Sequence, residues 1–144
     1  PSTLNININK TKFLAKVSKN GVIFFLGSNG KLVKSTIINE KIPFLFGDYN
    51  FNDFMILKNI IDDSNLNFNE IENLYFFPSG RWDVEIYSGA LIRLPKKQLK
   101  KYFDLSVMML NDQRFKDTKM IDVRQVDQVI IDGWRNFFRG IFIY

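Results

Sequence analysis

Arg81-Trp82-Asp83-Val84-Glu85-Ile86-Tyr87-Ser88-Gly89-Ala90-Leu91-Ile92-Arg93-Leu94 is the stretch that decides the fold. Trp82, Val84 and Ile86 recur at every second position, the spacing that puts side chains on one face of a strand. Ser88-Gly89 turns the chain, and Ala90, Ile92 and Leu94 resume the alternation, so the segment predicts a β-hairpin with one buried face. The same rule sends Asp83 and Glu85 to the opposite face, where solvent is the expected neighbour. Beyond Pro95, which suits a helix start, Leu99, Tyr102, Phe103, Val107 and Leu110 line one side of a helix. Lys96, Lys97, Lys100 and Lys101 lie elsewhere on its circumference. Met120 to Val123 and Val126 to Ile131 read as strands again, the second weakened by Asp127-Gln128, and Trp134 to Tyr144 is aromatic without a clean period.

Upstream, Asn52 is the expected N-cap of a helix carrying Phe54, Leu57 and Ile60 or Ile61, closed by Asp62-Asp63-Ser64-Asn65. Ile42-Pro43-Phe44-Leu45-Phe46-Gly47 reads as a connector, because Pro withholds a ladder donor and Gly permits an unusual backbone angle. Val22 to Leu26 and Lys31 to Ser35 flank Gly27-Ser28-Asn29-Gly30 as a second hairpin, and Leu4, Ile6 and Ile8 alternate as an outer strand. The expected fold is α+β: a largely antiparallel sheet with one or two helices packed on one face, and a domain boundary near residue 40.

The chain has 144 residues and neither Cys nor His. Disulfides, thiol nucleophiles, Cys/His zinc sites and imidazole-based triads are therefore excluded. No segment approaches the roughly 20 apolar residues of a membrane span, no signal peptide is legible, and a chain beginning with Pro reads as the tail of a longer protein. The net charge of +5 is patchy, with basic blocks over residues 1–41 and 91–119 and an acidic block between them. Asp62-Asp63 at a helix exit serves a turn better than acid–base chemistry, the carboxylates are too sparse for a metal, and no phosphate-binding glycine pattern occurs. Catalytic, cofactor and metal residues are accordingly expected to be none. Phe24-Phe25 and Phe76-Phe77 are assigned to core packing, since the basic-Gly-aromatic run of RNA readers is missing. One alternative is a basic nucleic-acid or anionic-membrane surface built from Lys10, Lys12, Lys96, Lys97, Lys100 and Lys101. More economical is recognition through backbone groups, at a late strand such as Val126 to Ile131 if it lies at the sheet edge.

Five motifs in order carry a resemblance: Pro1-Ser2-Thr3-Leu4-Asn5-Ile6, the hairpin ending Gly27-Ser28-Asn29-Gly30-Lys31, Ile42 to Gly47, Gly80-Arg81-Trp82-Asp83-Val84 with Gly89 and Leu94-Pro95, and Ile121-Asp122-Val123-Arg124. Together they resemble the FtsQ/DivIB bacterial cell-division proteins over residues 1–134. Val123 stands where Leu is commoner, and Arg135 to Tyr144 matches no part of the pattern. The resemblance implies the last strands of a POTRA domain at residues 1–40, then the β domain of this family at 41–144. It also implies a membrane-anchoring N-terminal helix absent from this stretch and a place on the periplasmic side of the bacterial inner membrane. By the same resemblance the protein is a non-catalytic divisome scaffold without cofactor or nucleic acid. It would bind the bitopic proteins FtsB and FtsL by strand addition and help regulate septal peptidoglycan synthesis. Carried over, the partner-binding edge strand comprises Gln125, Val126, Gln128, Val129, Ile130 and Ile131, with Trp134 just beyond. Asp122 and Arg124 are expected to be structural, pairing across strands.

Overall fold

The computed structural model describes residues 12–34, 40–125, 128–133 and 139–143. Asn20 and Gly21 both stand at positive φ, 51° and 77°, which is the two-residue turn whose twist matches a hairpin. They join β1 (Phe13–Lys19) to β2 (Val22–Gly27), and the predicted turn at Gly27 to Gly30 leads on to β3 (Leu32–Lys34). Strand β1 was not anticipated from the sequence, although Asn20-Gly21 is a hairpin signal in plain view. The Leu4 to Ile8 strand and Lys10 lie outside the described residues.

The connector at Ile42 to Gly47 becomes a short strand, β4 (Phe44–Phe46), lying parallel to β1 on one side and to β5 (Ile71–Phe76) on the other. Between β4 and β5 runs α1 (Phe51–Asp62), whose N-cap is Asn50 rather than Asn52: its side chain accepts hydrogen bonds from the backbone N–H groups of Asn52 and Asp53. The central hairpin forms as predicted, with β6 (Trp82–Ile86) antiparallel to both β5 and β7 (Leu91–Arg93). Pro95 precedes the next helix instead of opening it: α2 (Leu99–Leu110) begins after Gln98, which sits in the left-handed region at φ 55°. It leads to β8 (Thr118–Asp122), parallel to β7, followed by β9 (Gln128–Gly133) and β10 (Arg139–Ile143) as antiparallel neighbours.

One sheet holds all ten described strands, in the order β10-β9-β8-β7-β6-β5-β4-β1-β2-β3. It runs unbroken across residue 40, where the sequence suggested a boundary, and Leu14, Ala15, Val17 and Leu26 share one apolar core with the rest. The α+β class is as expected. Each helix is the crossover between two parallel neighbours, β4 to β5 and β7 to β8, and both crossovers step the same way along the sheet from strands that point the same way. A single right-handed sense of crossover then places both helices on one face.

That face is the one predicted from Trp82, Val84, Ile86, Ala90, Ile92 and Leu94, all of them buried. In register across the sheet, Leu74, Val84, Ile92, Ile121 and Ile131 form one row beneath the helices. Phe54, Leu57 and Ile61 of α1 and Phe103 and Val107 of α2 close the core over it. Gly47 shows how tightly the connector is held: at φ 99° it sits against the Phe76 carbonyl, and an added Cβ would collide with that oxygen. Phe54 is fully buried, so Phe54→Ala is expected to cost about 3–5 kcal/mol, read as a lower urea midpoint with the slope unchanged.

Candidate partner-binding site

The face away from the helices carries a ladder of rings and ions. Phe46 stacks on Tyr75 with ring centroids 5.2 Å apart, and the Lys16 ammonium lies 4.3 Å from the centre of the Phe44 ring. Glu85 accepts hydrogen bonds from the Asn73 amide and the Tyr75 hydroxyl. Asp83 is on this face, as the alternation requires, but it is only 5% exposed, contrary to the expectation of a solvated carboxylate. Long neighbouring side chains cover it: Arg93, directly opposite on β7, brings Nε to 3.5 Å from Oδ2, while Oδ1 has no hydrogen-bond partner among the described residues.

Next to this pair, β8 ends in the Asp122-Val123-Arg124 motif. Alternation turns Val123 into the core and leaves Asp122 and Arg124 on the outer side. Arg124 donates from Nε to Oδ1 at 2.8 Å and from its terminal nitrogen to Oδ2 at 2.6 Å, and its backbone N–H donates to Oδ1 at 3.1 Å. The pairing is therefore local and bidentate, closing the strand end on itself, and not the cross-strand pairing expected from the sequence. Val123 donates its backbone N–H to the Arg93 carbonyl at 3.0 Å, so the motif is also tied to β7.

Beside the clamp opens a cavity of about 390 Å³. Arg81, Lys96, Lys97 and Arg124 bring four cations to it, Pro95 and Tyr102 give it apolar wall, and Gln98 and Gln125 complete the rim. Among the described residues no carboxylate lines it. The first turn of α2 begins at Gln98 with no side-chain cap and no acidic residue, so the positive end of the helix adds to the same field. Arg81 donates from Nε to the Ser79 hydroxyl at 3.1 Å and keeps one terminal nitrogen buried without a hydrogen-bond partner among the described residues. The cavity thus combines a largely apolar surface with a net positive surround.

Of the residues named from the sequence, Gln125 lines this cavity. Gln128 and Ile130 are half-buried on the outer face, whereas Val129 and Ile131 are fully buried on the helix side, so their side chains serve the core. Val126 and Trp134 lie outside the described residues. The expectation that this strand is outermost needs correction: β9 pairs with β8 on one side and with β10 on the other, Ile130 opposite Ile141. The aperiodic aromatic tail concealed that further strand. Sequence reasoning also missed the cavity, although Arg81 and Arg124 stood in its motifs and Lys96 and Lys97 in its charged helix face.

The alternative lysine surface is not assembled as one patch. Lys12 lines a different cavity, beside Glu40, Asp62 and the Asn67–Asn69 loop that enters β5. Lys96 instead packs by Gly80, beyond the far end of β5. Lys100 pairs with Asp104 at 3.0 Å, and Lys101 lies over the Tyr102 ring. Among the described residues no group of acidic side chains could hold a metal, and no helix is long and apolar enough to cross a membrane.

No family model matches the sequence, and no curated protein matches it. Among solved structures it is similar to the major extracytoplasmic domain of the trans isomer of the bacterial cell division protein DivIB from Geobacillus stearothermophilus. That likeness has a TM-score of 0.49 at 14% identity, covering 73% of this chain and 96% of that one. It is too distant to bear on function.

The two buried carboxylates titrate in opposite directions. Burial pushes Asp83 above the usual carboxylate range, against the opposing pull of Arg93, Arg81 and Arg124. Burial alone would raise Asp122 too, but the hydrogen bonds and charge of Arg124 outweigh it and hold that carboxyl below the usual range. The folded chain therefore keeps the Asp83 proton to higher pH than the unfolded chain, and stability falls as pH rises from the usual range through the raised pKa. Asp122 contributes stability above the usual range that is lost as pH falls through its lowered pKa. Urea denaturation across that range is expected to show Asp83→Asn removing the decline on the rising side. Asp122→Asn should remove the loss on the acid side and lower stability at neutral pH. Arg124→Ala, which strands the buried Asp122 carboxylate, is expected to cost on the order of 3 kcal/mol.

Proposed function

We propose that this chain is a non-catalytic binding module of the bacterial cell-division machinery. It would act on the extracytoplasmic side of the inner membrane as part of a longer, membrane-anchored protein. Its work is to hold a small bitopic partner of the FtsB or FtsL kind through a strand added at the C-terminal end of the sheet, and so to take part in regulating septal peptidoglycan synthesis. The sequence resemblance to FtsQ/DivIB proteins supplies the family, and residues 1–40 are read with it as the last strands of a POTRA domain.

The observation that carries the reading is the position of the Asp122-Val123-Arg124 motif. It closes β8 at the point where the chain turns into the C-terminal strands, and it flanks the four-cation cavity. A partner strand laid along this end of the sheet gains main-chain hydrogen bonds, which give affinity, while an acidic side chain at its end is drawn by the field of Arg81, Lys96 and Lys97, which favours one orientation. Two gains at one place favour this reading over the dispersed lysine surface.

Calorimetric titration of the chain with the extracytoplasmic segment of its FtsB-like partner, at two salt concentrations and with random single-stranded DNA as control, is the test. Saturable binding to the partner and none to DNA is the expected result. Lys97→Glu, at the rim of the cavity, is expected to weaken it by about tenfold, mainly through slower association. Binding to DNA alone, falling steeply with salt, would overturn the reading.

A further inference from the structure

Resting on that reading, we infer that β10 is a resident strand that holds the partner's place on β9, and that the partner reaches β9 by displacing it. The register is continuous: Asp132, Ile131, Ile130, Val129 and Gln128 lie opposite Arg139, Gly140, Ile141, Phe142 and Ile143. Gln128 to Asp132, all of β9 but Gly133, are thus already paired with the chain's own tail.

Three features make β10 the element that leaves. Among the described residues it is the outermost strand of the sheet and β9 is its one paired neighbour, so its departure breaks one described ladder. Gly140 is its second residue, opposite Ile131, and a glycine within a strand costs backbone entropy and brings no side chain to the pairing. By contrast β9 is held without it, because Val129 and Ile131 are fully buried in the core and Ile130 and Ile131 pair with Asp122 and Ile121 of β8.

The exchange is close to neutral in main-chain hydrogen bonds, since a partner strand supplies the same groups that β10 withdraws. Charge favours an acidic partner at a distance: the cationic cavity sits at the ends of β6, β7 and β8, with β9 between it and the place of β10, so its field reaches a strand there across the sheet end, and Arg139 to Ile143 contains no carboxylate to respond to it. An acidic partner strand therefore gains an attraction that the resident strand lacks. Until it arrives, β10 covers an edge that would otherwise pair with any exposed strand.

The chain contains no cysteine, so a single engineered pair can test this in the whole protein. Ile130→Cys with Ile141→Cys places two thiols at directly opposed positions, and oxidation ties β10 to β9. Two fluorescein-labelled probes are titrated: a synthetic peptide of residues 135–144 of this chain, and the extracytoplasmic segment of the FtsB-like partner. The reduced protein is expected to bind the partner segment, and oxidation to weaken that binding by about tenfold or more, since the tethered strand competes at high effective concentration. Gly140→Pro and Ile141→Pro form the second arm. Alternate N–H groups face opposite sides of a strand, so one of the two removes a bond to β9 and should increase uptake of the tail peptide by about tenfold over the unsubstituted chain. Equal affinity of oxidised and reduced protein for the partner segment, or no gain in peptide uptake in either proline variant, overturns the inference. Tail peptide captured while the partner segment is ignored in both redox states refutes the proposed partner and leaves strand exchange standing.

Discussion

Two crossovers of the same hand govern this molecule. Because β4 to β5 and β7 to β8 each join parallel neighbours in the same direction along the sheet, α1 and α2 must lie on the same side. All the large apolar side chains of β5 to β9 that point that way then belong to a single core, and Phe54 and Phe103 fill it from above. Among the described residues no helix covers the opposite face, and long side chains lie over it: Lys16 over Phe44, Phe46 on Tyr75, Arg93 beside Asp83. Asp83 is buried on that face beside Arg93.

The same geometry sets up the C-terminal end of the sheet. Since α2 delivers the chain to β8 beside β7, the Asp122-Val123-Arg124 turn comes to lie near Arg81, Lys96 and Lys97, residues far from it in sequence. Arg124 meets two demands at once: it pairs bidentately with Asp122, which keeps the strand end closed, and it forms part of the wall of the cavity where Arg81, Lys96 and Lys97 gather. Local pairing of the motif leaves the rest of the basic cluster available for an outside charge.

Periodicity made much of this legible. The alternation from Trp82 to Leu94 identified the buried face residue by residue, and the helical spacing from Leu99 to Leu110 identified the face of α2, because both patterns report a local repeat against a fixed direction of burial. Where the repeat is short or absent, reading failed. Phe44–Phe46 has only three residues and follows a proline, so its place as a strand came from pairing with β1 and β5 and from nothing in its own pattern. Strand β10 carries a glycine and adjoins aromatic residues without alternation, and only its register against β9 makes it a strand.

The amino-acid sequence by itself determined the α+β class, the inward residues of the central hairpin, and the absence of any Cys or His chemistry. These follow from local steric preference and from the inventory of functional groups, which need no knowledge of distant neighbours. Only the tertiary structure decided that Asp83 is buried, that Arg124 folds back on Asp122 while Arg81 and Lys96 gather beside it, and that β9 is flanked on both sides. Each of these depends on which strands become neighbours, and strand order is set by crossover handedness and by backbone hydrogen bonds that every residue offers alike, so no side-chain pattern along the chain announces it.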